Sequence, residues 1–136
     1  MDNRRAFVKK ISLCCAGVSI GAGLTSCSSL PQVAGTYSEE GVHVQKSPEL
    51  QLPAVVNNDQ RGPFLLVNQN NQLKAYRMIC THKECTLNTA GPILVCPCHG
   101  SEFSFRGEVL KGPANKNLSV FPVKETSTNY TILLQS

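Results

Sequence analysis

Cys80 to Ser101 reads CTHKECTLNTAGPILVCPCHGS. This stretch holds four of the chain's seven cysteines and two of its three histidines, gathered in two compact boxes. Box one is Cys80-Thr81-His82-Lys83-Glu84-Cys85 and box two is Cys96-Pro97-Cys98-His99-Gly100-Ser101. Four cysteines at such close spacing read as metal ligands, disulfides or both. As ligands, the boxes give Cys-x-His and Cys-x2-His, with 13 residues between His82 and Cys96. Mixed donors have a redox consequence. Thiolates stabilise ferric iron, whereas neutral imidazoles donate less charge and leave their iron easier to reduce. Two imidazoles on one iron and two thiolates on the other therefore raise the potential above that of four-cysteine clusters. Each box offers one Cys and one His, so two loops can grip a cluster from opposite sides.

Outward from the boxes the chain is written in short β-rich runs between turn residues. Beyond residue 30 it has no sustained 3.6-residue apolar pattern. Pro63 to Val67 predicts a strand, Asn68 to Gln72 a turn, and Leu73 to Ile79 the return strand. Ile93 to Val95 leads into the second box, and Phe103 to Leu110 contains a turn at Arg106-Gly107. Leu118 to Val123 and Tyr130 to Leu134 predict a terminal hairpin across Lys124 to Asn129, and Val42-His43-Val44 a first strand. His43 has no Cys or acidic pattern around it and reads as a strand residue. The fold class is all-β, a sandwich or small barrel. Trp is absent and aromatics are 6% of the chain, so the core rests on aliphatic residues. A body this small gains from a cluster or a disulfide as a supplement.

The two boxes, with Phe103, Gly107 and the Gly112-Pro113-Ala114 run, resemble the Rieske iron–sulfur proteins. The resemblance covers about 35 residues, Cys80 to Ala114. It implies a two-sheet β-sandwich or barrel with a small cluster-binding subdomain, spanning 41–136, and one [2Fe–2S] cluster per chain. It implies that Cys80 and Cys96 bind one iron, and that His82 and His99 bind the other through Nδ. Their Nε edges then face solvent. Cys85 and Cys98 stand where the high-potential branch of the family has a disulfide between the two loops. Ser101 matches a serine whose hydroxyl donates to a bridging sulfide, and Gly112-Pro113 matches a proline loop that covers the cluster. Phe103 stands where many quinol-oxidising members have Tyr. The missing hydroxyl predicts a lower potential than in mitochondrial-type relatives, still within roughly −150 to +300 mV. Lys83 follows His82 where quinol-oxidising members often carry Leu, and the segment between the boxes is shorter than theirs. Both departures count against quinol docking.

The first 26 residues read as an address. Arg4-Arg5, then Phe7 and Lys9, precede an apolar run from Ile11 to Leu24. A charged segment before a short apolar one marks an export signal, and the paired arginines resemble the twin-arginine type. Fourteen apolar residues are short for a membrane span, which needs about 20. Leu24-Thr25-Ser26-Cys27 resembles a bacterial lipobox, with Cys27 as the acylated residue. An uncleaved N-terminal anchor is the alternative. Residues 27–40 read as a flexible tether. The expected location is the extracytoplasmic, periplasmic face of a bacterial membrane, reached through a lipid.

Charge excludes one function class. Four of the 13 Lys and Arg residues lie at the extreme N-terminus. From residue 27 onward 9 basic residues face 8 acidic ones, so the body has no basic surplus for nucleic acid. An oxygenase needs a second iron site, usually two His and a carboxylate, and only His43 remains unassigned. A structural zinc site uses the same two Cys and two His, but has no need of Ser101 or the Gly-Pro-Ala run. The expected function is one-electron transfer, alone or as the Rieske subunit of a larger oxidoreductase. The expected partners are redox proteins: a cytochrome, a quinol-oxidising cytochrome bc-like complex, or a molybdenum subunit resembling arsenite oxidase.

Overall fold

The computed structural model describes residues 29–135. Within them the regular elements are all β-strands. Eight form one sheet: β1 (Gln32–Ala34), β2 (Thr36–Tyr37), β3 (Gly41–Gln45), β4 (Ala54–Asn57), β5 (Phe64–Gln69), β6 (Gln72–Arg77), β11 (Val120–Glu125) and β12 (Asn129–Leu133). Their spatial order is β1-β4-β5-β6-β11-β12-β3-β2. The other four form a second sheet, ordered β10 (Val109–Lys111), β9 (Glu102–Ser104), β8 (Ile93–Val95), β7 (Asn88–Ala90).

The two outermost strands of the large sheet, β1 and β2, are one run of chain separated only by Gly35. That run pairs in parallel with β4 on one side and antiparallel with β3 on the other. The sheet therefore curls into a nearly closed barrel. Gly35 donates its N–H to the Asn57 carbonyl at 2.8 Å. A Cβ on it would lie 2.5 Å from Val42 Cγ1 and 2.7 Å from Val56 Cγ1, both buried. Only glycine lets the two valines approach the closing strand this closely.

Strand β5 explains why the middle of the chain reads as an unbroken apolar run. Phe64 and Leu66 point into the barrel with Val42, Val44, Val56, Ala75 and Ile132. Leu65 and Val67 point the other way, into a second core with Val55, Tyr76, Leu94 and Phe103. A strand covered on both faces loses the apolar–polar alternation of a half-exposed one. The second core glues the small sheet to the barrel wall, and it includes Cys80 and Cys96.

The sequence's expected strands are all present, with shifted ends. The β5–β6 turn is only Asn70-Asn71, with φ of 52° and 63°. Two left-handed residues make the tight hairpin turn whose twist suits the strands. Pairing therefore runs out to Gln69 and Gln72, inside the expected turn. The return strand ends at Arg77, and Ile79 makes only an isolated bridge to Thr86. The terminal hairpin turns across residues 126–128. One expectation is overturned: 27–40 is not a tether throughout, because residues 32–37 carry the strands that close the barrel. The export-signal and lipidation readings, Cys27 included, lie outside the described residues. Among the described residues no helix is long and apolar enough to cross a membrane.

Candidate metal centre

The two boxes fold into loops with the same closure. Cys80 N–H donates to the Cys85 carbonyl at 2.8 Å, and Glu84 N–H donates to the Cys80 carbonyl at 2.9 Å. In the second loop Cys96 N–H donates to the Ser101 carbonyl at 2.8 Å, and Gly100 N–H to the Cys96 carbonyl at 3.0 Å. The fifth residue of each loop is left-handed, Glu84 at φ 56° and Gly100 at φ 77°. Each loop thereby sets its first cysteine at the base, in the core, and carries its histidine at the outer end. Cys80 and Cys96 are 0% and 1% exposed, whereas His82 and His99 are exposed. The two imidazole centroids lie 5.0 Å apart with planes at 90°. The structure thus places the two expected cysteine ligands in one core and sets the two expected histidine ligands beside each other at the surface.

Three ties hold the loops to one another. The first is a disulfide between Cys85 and Cys98, with Cα atoms 6.5 Å apart. The second joins box two to the Gly112-Pro113-Ala114 run: the buried Ser101 Oγ accepts the Ala114 N–H at 3.0 Å. The third joins box one to the chain just beyond that run, through Thr81 Oγ1 donating to the Lys116 carbonyl at 2.7 Å. The Gly112-Pro113-Ala114 run is thereby held beside both boxes, with Gly112 and Pro113 exposed on it. Sequence reasoning missed Thr81. A threonine inside a ligand box carries no signal that its hydroxyl will reach a backbone carbonyl in another loop.

The Ser101 hydroxyl accepts from Ala114 and keeps its proton free to act on the Cys80 sulfur, whose anionic form it helps to favour. Burial alone would push the Cys80 thiol up. It is outweighed by the backbone N–H of His82, the Cys96 thiol, the backbone N–H of Lys83 and the Ser101 hydroxyl, which together hold Cys80 below the ordinary thiol range. Donors converging on a sulfur in a low-dielectric pocket stabilise its anionic form. That form is the one a metal binds. Phe103, on β9, is fully buried in the same core as the two cysteines. Gly107 holds the β9–β10 turn at φ 72°, where a Cβ would lie 2.5 Å from the Tyr76 ring.

Cys80 and Cys96 are the free cysteines among the described residues. Two buried thiols and two exposed imidazoles, delivered pairwise by two braced loops, fit a mixed-ligand binuclear cluster. Donor type alone also satisfies zinc. The hydroxyl aimed at Cys80 and the bracing third loop favour an iron–sulfur group, whose sulfurs take hydrogen bonds.

Comparison with known proteins separates the two. The sequence pattern of the Rieske [2Fe-2S] domain matches residues 40–122. The cytochrome b6-f complex iron-sulfur subunit of Synechococcus elongatus is 35% identical over 69 residues, 48% of this chain and 37% of that protein. The corresponding subunit of Chlorobaculum tepidum is 34% identical over 69 residues, 49% of this chain and 37% of its own length. The chain thus spans little more than a third of the length of these curated relatives. Among solved structures, the cyanobacterial plasma membrane Rieske protein PetC3 from Synechocystis PCC 6803 is similar at 30% identity. That match covers 66% of this chain and 84% of the other, with a TM-score of 0.47. Braced loops, thiol and imidazole donors, the inter-loop disulfide and the matched pattern lead to one assignment: the chain belongs to the Rieske [2Fe-2S] domain family, with one [2Fe–2S] cluster as its cofactor.

Proposed function

We propose that this chain is a one-electron carrier, with Cys80 and Cys96 as ligands to one iron and His82 and His99 as ligands to the other. When bound, the cluster supplies a one-electron couple whose potential the mixed ligands raise. The protein supplies burial on the cysteine side and an open edge on the histidine side. The observation that carries this reading is the pair of exposed imidazoles 5.0 Å apart, carried by the same two loops as two buried thiols. A redox partner meets the imidazole edge directly, while the sulfur side is shielded from water. EPR of the dithionite-reduced protein, with metal analysis of the same sample, tests the assignment. A rhombic signal of low average g and about two irons per chain is expected, and His82→Ala and His99→Ala each abolish it. An EPR-silent protein holding one zinc overturns the reading.

The same reading sets the protein at the extracytoplasmic face of a bacterial membrane, tethered through Cys27. Support comes from the paired arginines, the lipobox-like ending and the Cys85–Cys98 disulfide, a bond that persists in oxidising compartments. Membrane fractionation and mass spectrometry of the N-terminal peptide test it. Cys27→Ala is expected to release the protein to the soluble fraction; unchanged membrane association favours an uncleaved anchor.

The relatives being subunits of cytochrome b6-f complexes favours a second reading, in which the chain is the Rieske subunit of a quinol-oxidising or molybdenum-containing complex. Lys83, exposed beside His82, weighs against an apolar quinol pocket at this edge. Affinity purification from solubilised membranes discriminates. A stoichiometric cytochrome b or molybdopterin subunit supports the complex, and its absence supports a free carrier.

A further inference from the structure

Two residues, Ser28 and Ser29, separate Cys27 from the point where the folded body begins. Leu30 already packs against the core that holds Cys80 and Cys96. The Pro31 carbonyl accepts the Val55 N–H at 2.8 Å, and β1 starts at Gln32. The three chain steps from Cys27 to Leu30 reach at most about 10 Å, whatever their conformation. An acylated Cys27 sits in the headgroup layer, which is itself roughly 5–7 Å deep on each side of the hydrocarbon. A body rooted at Leu30 is therefore too close to stand clear of the lipid, and the face around its root is the one that meets it.

That face has its own composition. β1 lies beside β7, the free edge of the small sheet. Gln32 and Asn57 on one side, with Thr86, Asn88 and Thr89 on the other, line a groove of about 220 Å³ between them. Asn57 Nδ2 donates to Gln32 Oε1 at 2.9 Å along its rim. The segments that build this side, 28–37, 50–58 and 86–95, contain no Asp, Glu, Lys, Arg or His. A charged side chain pressed against lipid loses hydration at a high cost, whereas neutral amides and hydroxyls exchange water for headgroup oxygens.

We propose that this uncharged face rests on phospholipid headgroups and fixes the orientation of the domain on the membrane. The proposal rests on the reading of Cys27 as the acylated residue. β10 is the opposite edge of the small sheet, and the Gly-Pro-Ala run follows it. That edge, with Lys111, is turned away from the lipid, so a redox partner comes to it from the aqueous side. The face has no charge with which to attract headgroups, so the short stalk alone holds the contact.

The test uses the protein as the cell processes it, cluster-loaded, in vesicles of phosphatidylethanolamine and phosphatidylglycerol. It is compared with a variant carrying about 12 Gly and Ser residues between Ser28 and Ser29, a linker averaging roughly 20 Å end to end. Hydrogen exchange read by mass spectrometry follows both in the same vesicles. Amides of 30–34 and 86–90 are expected to exchange more slowly in the wild type than in the lengthened protein, and those of 108–117 equally in the two. Added salt leaves the difference in place, because screening acts on charges. Equal exchange in the two proteins, protection of 108–117, or a difference that salt abolishes overturns the proposal. Failure of the acylation reading is seen separately, in the mass of the N-terminal peptide. A chain without lipid on Cys27 removes the stalk argument and the proposal with it.

Discussion

Phe103 is fully buried among the residues that enclose Cys80 and Cys96. Its ring contributes packing but no proton. Phe103→Tyr adds a donor in a region whose acceptors are cysteine sulfurs. A net hydrogen bond of about 0.5–1.5 kcal/mol to the reduced form corresponds to a rise of roughly 20–60 mV for one electron. Protein-film voltammetry reads it, and an unchanged or lower potential means that the hydroxyl does not reach sulfur. Ser101 already supplies a hydroxyl, which accepts from Ala114 and helps to favour the anionic form of Cys80. Ser101→Ala leaves a buried N–H without its partner, which costs about 1–3 kcal/mol. The variant also loses a donor to the cysteine side, so the potential falls together with the denaturation midpoint. A fall in one without the other separates the bracing role from the electrostatic one. Glu84 differs again. It stands at φ 56° where the matching residue of the second loop is glycine, and a left-handed residue with a Cβ is strained by about 1–2 kcal/mol. Glu84→Gly relieves that strain at some entropic cost in the unfolded chain. We expect a net gain of about 0.5–1 kcal/mol in urea denaturation, with the EPR line shape unchanged. A loss of stability would mean that the Glu84 side chain contributes more than its backbone costs.

The β1–Gly35–β2 segment shows how a few residues close a barrel. Gly35→Ala drives a methyl group into Val42 and Val56 from two sides. Overpacking of this kind costs about 1–3 kcal/mol, and urea denaturation of the variant measures it. In a double variant with Val42→Ala the two losses are expected to sum to more than the observed total, since one relieves the other. Strict additivity would place the strain elsewhere. Nothing in the local sequence announces this segment. β1 and β2 are three and two residues long, and β1 is held through a parallel pairing with β4 from far along the chain. Short polar strands carry too little alternation to be read, and β7 escaped for the same reason; β4 escaped because its three apolar residues, Ala54 to Val56, are buried together and too few to mark a strand. The FLLV run and the Asn-Asn turn were legible because burial on both faces and two left-handed residues each leave a chemical mark. The metal centre was more legible than the fold. Thiols and imidazoles at fixed spacing have few other uses, and the structure puts the two thiols in one core and the two imidazoles 5.0 Å apart. Their bracing was half legible. The serine and the Gly-Pro-Ala run stood out through a family resemblance, whereas the Thr81 tie ends on a backbone carbonyl, which every residue possesses.

The molecule as a whole is close to charge balance beyond residue 27, yet its charges are not spread evenly around the tip. Lys83 in the first loop, Lys111 at the end of β10 and Lys116 beyond the Gly-Pro-Ala run are all exposed. Glu84 is the acidic residue within the loops of the two boxes. Elsewhere two lysines are matched, Lys46 with Glu125 at 2.6 Å and Lys124 with Glu40 at 3.6 Å. An excess of positive charge around the imidazole edge steers a partner carrying negative charge. Such steering acts on the association rate more than on the strength of the complex. Its range is the Debye length, about 8 Å at physiological ionic strength. Stopped-flow reduction of an acidic c-type cytochrome by the cluster-loaded protein measures the effect, with a basic cytochrome as control. At low salt, replacing the three lysines with glutamine is expected to slow the acidic partner about tenfold. The basic partner should be unaffected or faster, and the difference should shrink as salt is added. An unchanged EPR signal in the triple variant excludes damage to the cluster. Equal rates for wild type and variant at low salt would leave the lysines as solubilising surface, and recognition would then fall to uncharged residues such as the exposed Pro97 of the second loop and Pro113 of the Gly-Pro-Ala run.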